Sequence, residues 1–201
     1  FLYWEIAWLV LHNQYRPGQR LLDLGGSGSL FCCFLASQGV EVTAIDVNED
    51  LVKRGNVIAS HTGWPLHNRV MDMRQPHLAE PFDHATSVCV FEHLPLTGRV
   101  QVSRALGGLL IPGGTFSVTF DYLNPAPTAL ISSPAAVHAQ FVRASGLTVR
   151  GNRSFHDTGE RYLLHPAYHP HAVDRGWRSS GRHGVGVRAD EGRYTFGALF
   201  M

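Results

Sequence analysis

The stretch Leu21-Leu22-Asp23-Leu24-Gly25-Gly26-Ser27-Gly28 constrains this chain more than any other. An apolar run of strand length, suited to a buried parallel strand, ends in glycines, and a helical segment, Leu30–Ser37, opens directly after them. Glycines let a backbone approach a ligand closely, and the first turn of a helix carries N–H groups with no partner inside the helix. A glycine turn between strand and helix is common to nucleotide-binding folds of many kinds, so its neighbours must narrow the reading.

Strand-like and helix-like segments alternate through the first 120 residues. Trp4, Ala7, Trp8 and Leu11 recur at helical spacing, and Pro17-Gly18 ends that helix. Residues 40–46 read as the second strand, and Asn48 caps a helix reaching to about residue 59, with Glu49 and Asp50 in its first turn. The third strand is expected over residues 69–72 and the fourth over 85–91. Thr97 is expected to cap a helix over 98–110, followed by a turn at 111–114 and a fifth strand over 115–120. A proline-rich connection then leads to a helix over 135–145, a sixth strand from 147–150 and a seventh over 194–201. This order predicts an α/β domain: a mostly parallel, doubly wound sheet with helices on both faces. About forty residues rich in Arg, His, Gly and Pro separate the last two strands, long for a loop and typical of a lid or binding element.

Acids mark where a ligand would sit. Asp46 closes the second strand 23 residues after Asp23, where a carboxylate accepts hydrogen bonds from both ribose hydroxyls of an adenosine ligand. Asp72 ends the third strand beside Met73, suiting an adenine ring held by apolar contact with its exocyclic amine donating to the acid. Phe91-Glu92-His93-Leu94-Pro95 brings polar groups to the carboxyl end of the fourth strand, and ligands of open α/β sheets bind at that end, near the switch between the first and fourth strands.

Taken together, LLDLGGSGS, the acid of TAIDVNED, MDM, FDHATSVCVFEHLP and LLIPGGTFSVTF resemble the class I S-adenosylmethionine-dependent methyltransferases of the small-molecule branch, in the family's order over residues 1–122. The resemblance implies a Rossmann-like sheet of seven strands in the order 3-2-1-4-5-7-6, with strand seven antiparallel. It implies one domain over 1–201: a cofactor-binding core over 1–122 and a substrate-side part over 123–201, with a lid-like insertion at about 155–192. It implies S-adenosylmethionine as cofactor. Asp23 and Gly25 would contact its amino-acid part within the loop Gly25, Gly26, Ser27 and Gly28, and Asp46 its ribose. Val47, Asp72 and Met73 would meet adenine, and Phe91 and Glu92 would line the site near the methyl group. Serines stand at positions 27 and 29, where the family usually has glycine, so either the loop shifts by a residue or the serines adopt the required geometry.

Methyl transfer to oxygen or nitrogen needs alignment and often a base. His93 is the candidate base, since imidazole titrates near neutrality, with Glu92 beside it. The Glu-His pair is similar to that of ubiquinone-pathway O-methyltransferases, where it is linked to a divalent metal. Those proteins carry an acid three residues earlier, where this chain has Cys89, so no metal is expected. His165, His169 and His171, with His156 and Asp157 upstream, form a second histidine cluster that prolines break up, and Tyr162, Tyr168 and Trp177 are candidate contacts for an organic acceptor. The expected function is methyl transfer to a small-molecule, or else a protein, O or N acceptor.

A nicotinamide-dependent oxidoreductase would share the glycine turn and Asp46. The Pro-Gly-Gly before strand five argues against it, as does a single lysine, Lys53, with no Tyr-x-x-x-Lys pair. A non-catalytic module that keeps the fold is the other alternative. Composition adds limits. Net charge is +1 and the Asp/Asn-Pro-Pro-aromatic run of base methyltransferases is absent, so no nucleic-acid partner is expected. The charge is uneven, about −3 over 1–142 and +4 over 143–201. No apolar run approaches the roughly 20 residues that span a bilayer, so no membrane partner is expected. Three cysteines, two of them adjacent, form no disulfide framework, and a cytoplasmic setting is the default. The first residue is Phe rather than Met, so the expectation is either a trimmed chain or a segment of a longer protein.

Overall fold

The computed structural model describes residues 2–122, 131–151, 154–159, 162–163, 193–194 and 196–201. A six-stranded sheet forms its centre, in the order β3-β2-β1-β4-β5-β8. β1 (Arg20–Leu24) lies between β2 (Glu41–Asp46) and β4 (Phe82–Val88), parallel to both, with Leu22 opposite Thr43 on one side and Ala85 on the other. β3 (Leu66–Val70) pairs parallel with β2, and β5 (Leu110–Asp121) parallel with β4. β8 (Phe196–Phe200) runs antiparallel along β5, locked by reciprocal 2.8 Å hydrogen bonds between the Phe116 and Met201 backbones.

Strand periodicity divides the interior into two cores. Leu22, Leu24 and Ile45 face a layer with Phe91, Leu106, Phe116, Phe120 and Phe141. Leu21, Val42 and Ala44 face the other side, with Leu9, Phe31, Leu35 and Leu66. Adjacent residues of β1 thus serve opposite faces, as a doubly wound sheet requires. The helices α2 (Leu30–Ser37), α3 (Glu49–Thr62) and α4 (Leu96–Leu109) follow β1, β2 and β4. Asn48 caps α3 by accepting from the Asp50 and Leu51 N–H groups, and Gly63 closes it at φ +68°.

Several boundaries differ from the sequence reading. In α1 (Leu2–Asn13) the apolar spacing does mark a helix, yet Trp4 and Leu11 point outward, 48% and 76% exposed. The buried row is Glu5, Leu9 and Asn13, because the polar ends of that row bond to the sheet. Asn13 Oδ1 accepts from the hydroxyls of Thr115 (3.1 Å) and Ser117 (2.9 Å), and Glu5 accepts from the Cys89 thiol. β3 begins at Leu66, three residues before the expected start, because it is an edge strand with only Leu66 and Asn68 buried and so lacks an apolar run. β4 ends at Val88, since Cys89 takes φ +50° and Phe91–His93 turn as a short 3-10 helix. α4 starts at Leu96 with Pro95 at the cap, so Thr97 is not its cap.

The expected turn at 111–114 lies inside β5, where the pairing shifts register between Phe82/Leu110 and His84/Thr115 and Gly113 takes φ +82°. The expected helix over 135–145 is α5 (Pro134–Val137) continued as π-helix over His138–Arg143. Residues 147–150 form no strand. Arg150 donates its backbone N–H to the Phe200 carbonyl at 2.9 Å, but no ladder forms with β8, so six strands rather than seven make the described sheet. The expected last strand divides, with β7 (Arg193–Tyr194) pairing with β6 (Tyr162–Leu163) in a separate ribbon. His165, Tyr168, His169, His171 and Trp177 lie outside the described residues.

Candidate functional site

The glycine turn sits at the carboxyl end of β1, tied by Gly25 N–H to the Ile45 carbonyl at 2.8 Å. Gly25 and Gly28 take φ +93° and +69°, the left-handed region that favours glycine. Gly26 is required for a different reason: a Cβ there would fall on Asp23 Oδ1. Ser27 and Ser29 keep ordinary backbone angles, so the glycine requirement falls on positions 25, 26 and 28. Ser27 is buried, 3.3 Å from the Ala44 carbonyl, and Ser29 caps α2 by accepting from the Cys32 N–H. Asn68, on the edge strand, holds the loop from outside. Its Oδ1 accepts from the Gly28 N–H at 3.1 Å, and it packs where a Cβ on Gly55 would stand.

Asp23 is 1% exposed. Burial pushes its carboxyl up to about 6, opposed by the Thr86 hydroxyl that donates to Oδ2 at 2.8 Å. Cys32 and the Gly26 N–H also favour the ionised form, yet Oδ1 has no hydrogen bond of good geometry. A buried carboxylate with an oxygen turned to a glycine loop is suited to a cationic or N–H-bearing ligand group. Asp46, 8% exposed, ends β2 beside it and accepts from the Asn48 N–H at 2.9 Å. Val47 follows and is 68% exposed, presenting an apolar side chain at the strand's mouth.

Asp72 lies in the turn after β3, not on a strand. Its carboxylate is engaged by Arg74, whose Nε lies 2.9 Å from both oxygens, and this contact, foremost among the causes, holds its pKa below the usual range. Met73 is buried, and its Cε would stand 3.2 Å from a Cβ on Gly25. Phe91 is fully buried, its ring packed between Phe116 (5.8 Å) and Phe141 (5.4 Å), so it builds the core under the site rather than lining it. Glu92 is 2% exposed and burial raises its carboxyl to about 8. His93 is exposed.

The glycine loop with Asp23, Asp46 and Val47 therefore forms one group at the carboxyl ends of β1 and β2, with Met73 beneath it. Glu92 and His93 sit at the end of the neighbouring β4. Glu5, Cys89, Thr119 and Asp121, which gather around Glu92, were not foreseen, because Glu5 and Cys89 are 84 positions apart. Cys32, Cys33 and Cys89 are all free, and among the described residues no helix is long and apolar enough to cross a membrane.

Residues 22–118 match the family model of the methyltransferase domain. A ubiquinone biosynthesis O-methyltransferase of Xanthomonas campestris is 32% identical over 143 residues, covering 70% of this chain and 56% of the relative. The chain thus spans about half the length of the curated relatives it matches. Among solved structures, the cyclase SpnF superposes with a TM-score of 0.71 at 17% identity, over 97% of this chain and 78% of that one. Coclaurine N-methyltransferase, solved with N-methylheliamine and SAH, superposes at 0.66 and 14%, over 99% and 71%. At such identities these likenesses speak for the fold alone, and a cyclase among them shows that this fold hosts more than one chemistry. The matched domain, the sheet order and the glycine turn flanked by two strand-end acids make this chain a member of the class I, Rossmann-like methyltransferases.

Proposed function

We propose that the chain transfers a methyl group from S-adenosylmethionine to a hydroxyl oxygen of a small organic molecule. The observation that carries the cofactor is the buried pair Asp23 and Asp46 at the ends of adjacent parallel strands, flanking a glycine turn that a side chain at position 26 would fill. When bound, S-adenosylmethionine supplies an electrophilic methyl carbon on a sulfonium. Asp23 and Gly25 would hold the amino-acid end, where the Asp23 carboxylate suits an ammonium. Asp46 accepts from the ribose hydroxyls. Val47 and Met73 would supply apolar contact to the adenine, and Asp72 would accept from its amine in place of its contact with Arg74.

Oxygen is the favoured acceptor atom because matched relatives at 30–32% identity are O-methyltransferases by name. His93 is exposed at the carboxyl end of β4 and takes the acceptor's proton as the methyl carbon approaches, with Glu92 behind it. Alignment of the two reactants supplies much of the rate. The segment 123–201 supplies the acceptor side. The free cysteines fit a reducing, cytoplasmic setting. The test is transfer of labelled methyl from S-adenosylmethionine to a panel of phenols, catechols, amines and peptides. Label on the hydroxyl acceptors is the expected result. Cofactor binding with no label on any acceptor would instead favour the non-catalytic module.

A further inference from the structure

Gly55 stands in the middle of α3, where glycine weakens a helix. What lies opposite explains it: a Cβ on Gly55 would fall 2.5 Å from Cγ and Oδ1 of Asn68. The slot left there lets Asn68, buried on the edge strand β3, reach past α3 to the cofactor loop, where its Oδ1 accepts from the Gly28 N–H at 3.1 Å. Gly28 takes φ +69° and stands directly before Ser29, the cap of α2. Asn56, next to Gly55, sets which way the Asn68 amide points. Its Oδ1 accepts from the Asn68 backbone N–H at 3.2 Å and from Nδ2 at 3.4 Å, while its own Nδ2 donates to the Asn68 carbonyl at 3.2 Å. With Nδ2 turned to Asn56, Oδ1 is the atom that faces Gly28. Turning the Asn68 amide over would set donor against donor at Gly28 and oxygen against oxygen at Asn56.

We propose that Asn68, oriented by Asn56 and admitted by Gly55, is a positioning residue for S-adenosylmethionine: it holds the Gly28 end of the glycine loop in its binding shape and sets cofactor affinity without touching the ligand. The inference rests on the cofactor reading of that loop. A turn that approaches a ligand with its backbone binds more tightly when its shape is fixed beforehand, because less freedom is lost on binding. The loop is held residue by residue. Ser27 donates to the Ala44 carbonyl of β2 at 3.3 Å, and Gly28 donates to Asn68, the residue of β3 opposite Ala44. Consecutive loop residues are thus tied to consecutive strands, and the outer tie depends on a side chain 40 positions away.

The test is calorimetric titration of the whole chain with S-adenosylmethionine, with melting curves and hydrogen exchange of the Gly28 amide measured on the same proteins. Asn68→Val keeps the size and suits an edge strand but removes the acceptor, and Gly55→Ala closes the slot. Each should weaken S-adenosylmethionine binding by about tenfold, the contribution of one hydrogen bond, and speed exchange at Gly28. The double variant should bind no more weakly than Gly55→Ala alone, since both changes break the same contact. Asn68→Val should melt as the unaltered chain does. Gly108→Ala, in α4 with open space where its Cβ would stand, should leave binding and exchange unchanged. Undiminished affinity in Asn68→Val, or a loss that only tracks a lowered melting temperature, would overturn the proposal and leave the cofactor reading in place. No binding by the unaltered chain would refute the cofactor reading, and the proposal with it.

Discussion

Asp23→Asn should stabilise the ligand-free chain at neutral pH while abolishing cofactor binding. The carboxyl titrates at about 6 in the folded chain, chiefly through burial, against an ordinary value of 3.8. The folded state therefore holds this proton more tightly than the unfolded state. Its contribution makes stability rise as pH falls from about 6 to about 4 and leaves it flat outside that window. Above the window the ionised, buried carboxylate costs about 3 kcal/mol, from a shift of roughly two units at 1.36 kcal/mol each. Asparagine has the same shape, keeps an oxygen to accept from the Thr86 hydroxyl, and carries no charge to desolvate. Urea unfolding at pH 7.5 should therefore show Asp23→Asn more stable by about 2–3 kcal/mol, with the gap closing towards pH 4. A variant less stable than the parent at pH 7.5, by an amount independent of pH, would refute the reasoning. It would mean that contacts of the carboxylate, with Thr86, Cys32 and Gly26, outweigh its desolvation.

Further outcomes follow from the same geometry. Gly26→Ala places a methyl group on the Asp23 carboxyl and should cost about 1–3 kcal/mol, read as a lower melting temperature, together with loss of S-adenosylmethionine binding. Phe91→Ala should destabilise the fold by about 3–5 kcal/mol, because the ring is core, and a variant with unchanged melting but altered turnover would return Phe91 to the lining of the site. His93→Ala should lower methyl transfer by about 100-fold with an unaltered melting curve, since the side chain is exposed, and unchanged turnover would remove it as the base. Arg74→Ala frees the Asp72 carboxylate and should tighten S-adenosylmethionine binding with melting unaltered; weaker binding would show that Arg74 itself touches the ligand.

What could be read from the sequence was whatever local chemistry decides. α2 has the bounds expected of it, Leu30–Ser37, because the apolar run and the glycine turn that precede it act within ten residues. Asn48 capped α3 as expected for the same reason. β3 was displaced because an edge strand buries only alternate residues, and its polar His67, Asn68 and Arg69 give no apolar run to follow. Phe91 was placed at the cofactor by its neighbours in sequence, whereas its ring is claimed by Phe116 and Phe141 from distant elements. Thr86 under Asp23 and Glu5 under Cys89 were out of reach, since their partners stand 63 and 84 positions away and only the folded sheet and α1 join them. Exposure of the α1 stripe was hidden likewise: the spacing of Trp4, Ala7, Trp8 and Leu11 announces a helix without saying which face meets the sheet.

The central claim is that the glycine turn with Asp23 and Asp46 holds S-adenosylmethionine. Calorimetric titration of the purified chain with S-adenosylmethionine and, separately, NADH, beside an Asp46→Ala variant, tests it most directly. The account predicts one equivalent of S-adenosylmethionine bound at micromolar strength and no heat from NADH. In the variant, binding should fall by about 10- to 100-fold, the value of a charged acceptor lost from two hydroxyls. Binding of NADH instead, or S-adenosylmethionine held equally well by Asp46→Ala, would contradict it.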